Sequence, residues 1–341
     1  MREEQTIGGG DPANNNNHNN HNSLIAPLLP ERCCISWTGG KDCNLALLYC
    51  WRDPSLHVTD LVVFQPESKC NDNDDDDDNN FQAHPKRIME AQADSLGLPL
   101  RFMTLPSNIP YRDGYVNALQ TLRDDHGIQV ICTGDMDLVE IENSQDNYIK
   151  ECCEMVEGGG IRTYLPLWEA DRTECLTTLV IKENYRIVFS CVKSPWFDGE
   201  TWCGRPLDVD AFDEMTAMSK RPLYDDDETE MMIDWGTKDP RRKALDLGGE
   251  NGEYHTMVLD GPLYEYGIEI VGVAAAVDPT DDNDDDDDDD DDDGTTKSKS
   301  IIELNSVVSG PAKNGEDRWW TYDGQTMWSL GKFDVKKRTE I

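Results

Sequence analysis

The stretch ISWTGGKDCNLALLY, residues 35–49, places two glycines, a lysine and an aspartate between an apolar run and a helical pattern. Cys33 to Trp37 is short and β-prone, which is typical of a buried strand. The run from Asn44 to Trp51 has three large apolar residues at helical spacing, which predicts a helix packed on a sheet: Leu45, Leu48 and Trp51. Glycine permits positive φ and close ligand approach, and the start of a helix attracts anions through unpaired N–H groups. This corner therefore predicts an anion site, most simply one for a phosphate.

The chain has 341 residues and a formal net charge of −38, enough length for one large or two ordinary domains. Aspartate runs within 70–80 and 281–293 repel themselves and cannot bury apolar surface, so they are expected to be disordered spacers. The rest of the chain stays acidic without them. No basic face for a nucleic-acid backbone is evident, and nucleic acid is not expected as a direct partner.

The eleven cysteines include no C-x-x-C pair. This pattern argues against a zinc ribbon, a redox pair or a secreted disulfide framework, and it favours buried free thiols in a reducing compartment. No apolar run is long enough to span a membrane, and the Asn-rich N-terminus is unlike a signal peptide. The sequence therefore predicts a cytoplasmic protein without a membrane partner.

Strand and helix patterns alternate along most of the chain. The predicted strands are Cys33–Trp37, Val58–Phe64, Leu100–Leu105, Gln129–Thr133, Arg162–Leu165 and Arg186–Val192. The predicted helices are Asn44–Trp51, Pro85–Ser95, Tyr115–Asp125, Asn147–Val156 and Glu174–Lys182. Alternation of this kind predicts an α/β fold with a parallel sheet, Rossmann-like, that binds its ligand at the carboxyl ends of the strands.

Changes in composition divide the chain into five predicted parts. They are a disordered Asn-rich tail (1–30), a nucleotide-binding domain with an acidic loop insert at 70–80 (31–160), a smaller α+β substrate-binding domain (161–276), a disordered poly-Asp linker (277–300) and an aromatic extension (301–341). Alternating aromatic residues in the extension predict a hairpin with its turn at Asp323 and Gly324.

The corner resembles the S-G-G-x-D-S signature of the N-type ATP pyrophosphatases, which have an adenine-nucleotide-alpha-hydrolase-like (HUP) domain. Thr38 stands at the first serine of that signature and Cys43 at the last. The resemblance implies that this loop holds the pyrophosphate end of ATP, with the following residues in contact: Ser36, Thr38, Gly39, Gly40, Lys41, Asp42 and Cys43. It also implies a Mg²⁺ ion positioned by Asp42, and a leaving pyrophosphate whose charge Lys41 and the ion offset.

Four further motifs bear on the chemistry. TGDMD (133–137) follows an apolar strand and places Gly134 and Asp135 at the cleft, while PLW (166–168) follows the next strand. CGRPLD (203–208) and GGENGEYHT (248–256) come later, and the second of these concentrates donors, acceptors and an aromatic ring in a few positions. Such a run favours a substrate or nucleotide site over an ordered surface hairpin, which is the alternative interpretation.

In order and spacing, these motifs resemble the diphthine–ammonia ligases and their ATP-binding relatives over about residues 32–270. The resemblance implies ATP-dependent amidation of the diphthine carboxylate on elongation factor 2 with ammonium. The reaction passes through an acyl-adenylate and gives diphthamide, AMP and pyrophosphate. Implied catalytic residues are Lys41, Asp42, Glu250, Glu253 and His255. Implied substrate contacts are Trp168, Gly204, Arg205, Asn251, Gly252, Tyr254 and Thr256.

Free ammonia is the favoured nitrogen source, because Cys203 lacks the context of a glutaminase nucleophile. Glu250 or Glu253 would deprotonate or orient ammonium. His255 is a candidate acid, base or carboxylate contact, with a structural histidine as the alternative. Two other functions remain open: the same ATP chemistry on a different carboxylate or carbonyl, and a non-catalytic nucleotide-binding protein.

Overall fold

The computed structural model describes residues 29–67, 85–138, 144–220, 245–250, 252–272, 304–308, 326–330 and 333–338. The predicted disordered tail, the acidic insert, the poly-Asp linker and the turn at Asp323 and Gly324 lie outside the described residues, apart from the last two positions of the tail. No helix in the described ranges is long and apolar enough to cross a membrane.

Five parallel strands form the first sheet, in the order β3-β2-β1-β4-β5. They are β1 (Glu31–Ser36), β2 (Leu56–Pro66), β3 (Leu100–Leu105), β4 (Val130–Cys132) and β5 (Arg162–Tyr164). Four helices connect them: α1 (Lys41–Arg52), α2 (Lys86–Leu96), α3 (Tyr111–His126) and α4 (Tyr148–Met155). The predicted α/β, Rossmann-like fold is confirmed, and the first sheet includes β5, which lies just past the predicted boundary at residue 160.

Both faces of this sheet are covered, as a parallel sheet requires. Cys33 and Ile35 of β1 pack on one face with Leu45 and Leu48 of α1, while Cys34 packs on the other face among residues of α3 and α4. Neighbouring residues of a strand point to opposite faces, which explains why three consecutive residues of β1, Cys33 to Ile35, are apolar and buried. Trp51 departs from its prediction, because it lies in the last turn of α1 and is 52% exposed.

The second part of the chain begins with α5 (Arg172–Thr177), which continues as a π-helical turn (Thr178–Lys182). Next come β6 (Arg186–Lys193), α6 (Gly199–Trp202) and α7 (Val209–Ser219). The remaining elements are five strands: β7 (Tyr254–Asp260), β8 (Ile268–Gly272), β9 (Leu304–Val308), β10 (Thr326–Leu330) and β11 (Phe333–Lys337).

These later strands form antiparallel sheets, one in the order β7-β6-β10-β9 and one that pairs β11 with β8. The sequence placed β6 in a continuous parallel series, and this was wrong. Nearly all of β6 is buried, and such a continuous apolar run is typical of a strand in a parallel sheet. Its neighbours nevertheless run antiparallel to it. The aromatic extension docks on the second part, since β10 pairs with β6 and β9, and β11 pairs with β8.

Cysteine is a core residue in this fold. Ten cysteines lie in the described ranges as free thiols, and nine of them are buried. Cys33, Cys34 and Cys132 sit inside the parallel sheet at 0% exposure. The prediction of buried free thiols is confirmed for these nine, which behave as small apolar side chains, while Cys203 is a free thiol that is only partly buried.

Candidate functional site

The strand order of the first sheet creates a crevice between β1 and β4. From β1 the chain moves outward to β2 and β3, then returns to pair β4 with the other side of β1. In open parallel sheets, ligands bind at such a reversal point, outside the carboxyl ends of the two strands. The loop after β1 holds Thr38 to Gly40, and the loop after β4 holds Thr133 to Asp135. The topology therefore brings two predicted motifs to one place, here called the phosphate corner (residues 38–43 with 133–135).

The turn into α1 depends on glycine. Gly39 has φ +79°, and Gly40 is the N-cap of the helix, which begins at Lys41. A Cβ on Gly39 would lie 2.6 Å from Oε1 of Gln92, a fully buried side chain of α2. That oxygen accepts from Trp37 Nε1 (3.1 Å), while Gln92 Nε2 donates to the carbonyls of Gly39 (2.9 Å) and Val258 (2.7 Å). Gln92 thus fixes the turn from behind.

Gly134 explains why a glycine follows β4. A Cβ at this position would lie 2.6 Å from the carbonyl carbon of Asp42 and 2.7 Å from the amide nitrogen of Cys43. The loop after β4 therefore runs backbone against backbone across the first turn of α1, an approach that only glycine permits. This contact holds the two halves of the phosphate corner together.

Asp135 is held beside this contact. Its amide donates to Thr133 Oγ1 (3.0 Å), and Asn147, the N-cap of α4, donates through Nδ2 to Asp135 Oδ2 (2.5 Å). Burial raises the pKa of Asp135 above its usual range, the two hydrogen-bonding residues oppose the rise, and the negative charge of Asp42 adds to it. Asp135 and Asp42 thus share an electrostatic environment in which a cation would be favoured.

The segment around β7 closes the corner from the second part of the chain. Thr256 Oγ1 accepts from the amide of Lys41 (3.1 Å), and the amide of Val258 donates to the carbonyl of Gly39 (3.1 Å). One N–H of the helix start, expected to be open for an anion, is therefore already paired with Thr256. Thr256 is 3% exposed, so its contact in this structure is with the corner itself.

Lys41 ties the corner to the glycine-rich segment before β7. Its Nζ donates to both carboxylate oxygens of Asp42 (2.7 and 3.0 Å) and to the carbonyl of Gly248 (2.6 Å), and it lies 5.1 Å from the ring centroid of Tyr254. Burial alone would lower the pKa of Lys41, but the charge of Asp42 and then Tyr254 and Glu250 outweigh it and raise the pKa. A permanent positive charge is therefore fixed at the corner.

Glu250 lies among like charges. Burial raises its pKa to about 8, with Asp42, Asp135 and Asp246 adding to the rise and Lys41 opposing it. Arg172 of α5 forms ion pairs with Asp137 of the TGDMD motif and with Asp246 (3.7 Å), and so connects these two acidic segments. Glu250 thus keeps its proton to a higher pH than an ordinary glutamate does.

Glu253 and His255 occupy different surroundings. The side chain of Glu253 is buried, accepts from the amide of Asp246 (3.4 Å) and influences the buried Lys193. Burial lowers the pKa of Lys193 to about 8, with Glu253 opposing the fall. His255 is half-buried in β7 and pairs with Cys191 of β6. Among the electrostatic influences on Lys41, Glu250 is the glutamate that reaches the corner.

The predicted substrate contacts are spread over several environments. Tyr254 is 2% exposed, and its hydroxyl donates to the carbonyl of Leu247 (2.6 Å). Gly252, at φ +72°, donates to the carbonyl of Gly249 (2.9 Å). Trp168 is half-buried in the turn after β5. The amide of Glu169 in this turn donates to the carbonyl of Met136 (2.9 Å), which connects the turn to the TGDMD segment. Asn251 lies outside the described residues.

Gly204 and Arg205 are engaged elsewhere. The amide of Gly204 donates to the carbonyl of Phe189 (2.8 Å), and Arg205 forms a bidentate pair with Glu214 (2.8 and 2.6 Å) while stacking on Trp202. Asp208, the last residue of CGRPLD, caps α7 by accepting from the amide of Ala211 (3.0 Å). In this structure the motif closes the chain onto β6 and starts α7, and its role in substrate binding stays a prediction.

The remaining corner residues differ in access. Thr38 is exposed, Ser36 is the half-buried last residue of β1, and Cys43 is 5% exposed. The thiol of Cys43 donates to the carbonyl of Gly40 (3.2 Å) and lies 3.6 Å from Thr38 Oγ1. Thr38 is thus open to a ligand at the first serine position of the signature, while Cys43 points into the helix.

Three residues of the site were not found from the sequence: Gln92, Asn147 and Arg172. The sequence contained a signal only for Asn147, because asparagine directly before an apolar helical run is a typical N-cap. A glutamine and an arginine in polar helical stretches carry no such signal.

Comparison with known proteins bears on the segment that closes the corner. A family model described as the diphthamide synthase C-terminal domain matches residues 228–280, a range that includes GGENGEYHT and β7. The match is consistent with the diphthine–ammonia ligase family that the motifs resemble, and it indicates a role in diphthamide biosynthesis. A comparison with curated proteins found no match.

Proposed function

We propose that the protein is a diphthine–ammonia ligase, which uses ATP and ammonium to amidate the diphthine carboxylate of elongation factor 2. One observation supports this most directly: the segment matched by the diphthamide synthase family closes on the phosphate corner through Lys41, Gly248 and Thr256. An acceptor held by that segment would lie next to the phosphates of a nucleotide held by the corner.

The residues present suit ATP and Mg²⁺. The reversal point of the sheet, the helix start at Gly40 and the exposed Thr38 hydroxyl form the surroundings in which phosphates bind. Asp42 and Asp135 provide two carboxylates, while no cluster of three or more metal-ligating side chains occurs in the described ranges. Mg²⁺ is usually held by one or two carboxylates together with substrate phosphates, so this set fits it. When bound, the ion would offset charge on the leaving pyrophosphate.

The chain's own residues then have distinct tasks in the proposed reaction. Lys41 fixes positive charge at the corner, and Asp42 accepts hydrogen bonds from Lys41 and would also hold the Mg²⁺ ion. Glu250, with its pKa raised to about 8, accepts a proton from ammonium when it is ionised, and the ammonia so formed attacks the carbonyl carbon of the adenylated carboxylate. The adenylate itself forms when the diphthine carboxylate oxygen attacks the α-phosphorus of ATP and displaces pyrophosphate. After ammonia has added, the bond to AMP breaks and the nitrogen loses a proton, which leaves the amide.

The proposal is tested by measuring AMP and pyrophosphate release from ATP, Mg²⁺ and ammonium. Elongation factor 2 carrying diphthine is compared with the same factor already amidated. Release that depends on the diphthine form is the expected result. Equal release with both forms, or with neither, would contradict the assigned acceptor, and a failure to bind ATP would remove the enzyme assignment.

Asp42→Asn is the variant that links the reaction to the corner. We expect it to reduce AMP release by at least about 100-fold, because it removes the charge that holds Lys41 and the metal. Asp113→Asn is the matched control, since Asp113 is an exposed acid in the first turn of a different helix, α3. Unchanged turnover in Asp42→Asn would place the reaction elsewhere.

A further inference from the structure

A second cleft lies at the other end of β6 and β7. It has a volume of about 330 Å³ and is lined by the start of β6, the end of β7, the chain leading into α7, and Arg338, which directly follows β11. Asp260 lines this cleft, whereas Tyr254 at the start of the same strand lies beside Lys41. Six residues of strand separate the two, or roughly 20 Å. The cleft is therefore distinct from the phosphate corner.

One arginine of this cleft, Arg186, has a buried donor without a hydrogen-bond partner. Arg186 donates through Nη2 to the carbonyls of Leu259 (3.4 Å) and Ile268, but its Nε is buried without a hydrogen-bond partner. A buried, unpaired donor on a charged group costs free energy that a suitable acceptor would recover. The guanidinium is thus anchored on one side and unsatisfied on the other.

Arg338 adds a second positive charge to the same wall. It is exposed, and within the described ranges its side chain has no ion-pair partner. Burial lowers the pKa of Arg186, the charge of Arg338 lowers it further, and the charges of Asp260 and Glu269 oppose the fall without cancelling it. Two positive charges that neighbouring acids offset only in part form a surface that attracts an anion.

The acids that line the cleft offset this positive charge only in part. Asp208 accepts from the amide of Ala211 (3.0 Å) as the cap of α7, and Asp260 accepts from the amide of Gly261 (2.9 Å). Neither forms an ion pair with Arg186 or Arg338 among the described residues. Both acids therefore have partners of their own, and the guanidinium groups keep their capacity for a ligand oxygen.

We propose that this cleft binds a small oxyanion, a carboxylate or a phosphoryl group, between the guanidinium groups of Arg186 and Arg338. Arginine presents its donors as a planar fork that matches both groups, and the volume accommodates a small ligand. The site does not depend on the proposed ligase function, since none of its residues belongs to the phosphate corner.

The test measures binding of inorganic phosphate and of acetate to the full-length protein by calorimetry, without nucleotide. Arg338→Gln removes one charge from an exposed side chain, and Lys336→Gln, on an exposed residue of β11 outside the cleft, is the matched control. We expect binding of at least one anion, weakened at least tenfold in Arg338→Gln and unchanged in Lys336→Gln. Binding of phosphate alone assigns a phosphoryl ligand, and binding of acetate assigns a carboxylate.

A second variant, Arg186→Lys, keeps the charge but removes the unpaired Nε and the fork. It should also weaken the anion at least threefold, with unchanged circular dichroism as the check on folding. Binding of neither anion, or equal binding by the wild type and Arg338→Gln, would overturn the proposal. In the second case the anion would be bound at the phosphate corner instead.

Discussion

Two regions of the molecule each contain a buried lysine, and the pKa values of the two lysines shift in opposite directions. At the phosphate corner, Lys41 is 3% exposed, yet Asp42 and its neighbours raise its pKa. Near the end of β6, Lys193 is 0% exposed, and burial lowers its pKa to about 8 although Glu253 opposes the fall. The difference shows that burial alone does not decide a lysine's charge, and that the corner is organised around a permanent one.

The largest effect is expected from a change that breaks the corner while leaving the region of Lys193 intact. Gly134→Ala would drive a Cβ into the backbone of Asp42 at 2.6 Å, at a cost of about 3 kcal/mol in the free energy of unfolding, with loss of ATP binding. Urea unfolding and nucleotide titration measure both. Gly97→Ala is the control, because Gly97 has φ +64° but open space around it, and it should cost only about 1 kcal/mol.

Replacing each lysine by methionine tests the comparison directly. Lys41→Met leaves Asp42 and the carbonyl of Gly248 without their donor, and should cost about 2–3 kcal/mol near neutral pH.

Lys193→Met should instead change how stability depends on pH. The folded pKa of about 8 lies below the unfolded value of 10.5, so the unfolded chain binds more protons between these pH values. Wild-type stability therefore rises with pH across this window, and the variant should lack roughly 2 kcal/mol of that rise. The free energy of unfolding, measured at pH 8 and pH 10.5 in the wild type and the variant, tests this prediction. Parallel pH profiles would show that Lys193 is charged like Lys41.

Glu250→Gln sharpens the same comparison with a carboxyl group. The folded pKa of about 8 lies above the unfolded value of 4.5, so the folded chain keeps a proton that the unfolded chain releases. The free energy of unfolding of the wild type therefore falls as the pH rises from 4.5 to 8. The difference in this free energy between the variant and the wild type should shift by about 1–2 kcal/mol in favour of the variant from pH 5 to pH 8. Glu265→Gln, at an exposed position, is the control. An equal gain at both pH values would mean that Glu250 is not protonated in the fold.

The smallest effect is expected from Cys43→Ser, which restores the serine of the signature. The thiol is buried and donates to the carbonyl of Gly40 (3.2 Å), and a hydroxyl can make the same bond. We expect a change in stability of less than about 1 kcal/mol and less than threefold in the affinity for ATP. A tenfold gain in affinity would show that this side chain faces the phosphates.

Much of this architecture followed from local pattern. The period of apolar residues identified β1 to β5 and the helices between them, and the glycines around Lys41 marked the corner, because those signals lie within a few residues of each other. The direction of β6 could not be predicted, since a strand buried on both faces has the same apolar run in either kind of sheet. Gln92 and Arg172 escaped prediction because their partners lie far away in the sequence. The choice between Glu250 and Glu253 likewise depends on surroundings that only the fold creates.

The bond between the Lys41 amide and Thr256 joins positions 215 residues apart. A chain growing from its N-terminus can pair β1 with β2 long before it contains the partner that finishes the turn into α1. The turn into α1 therefore lacks its contacts with β7 until that strand has been made and docked. If the proposed function holds, N-terminal fragments would lack a finished ATP site, and ATP would not be consumed before β7 exists.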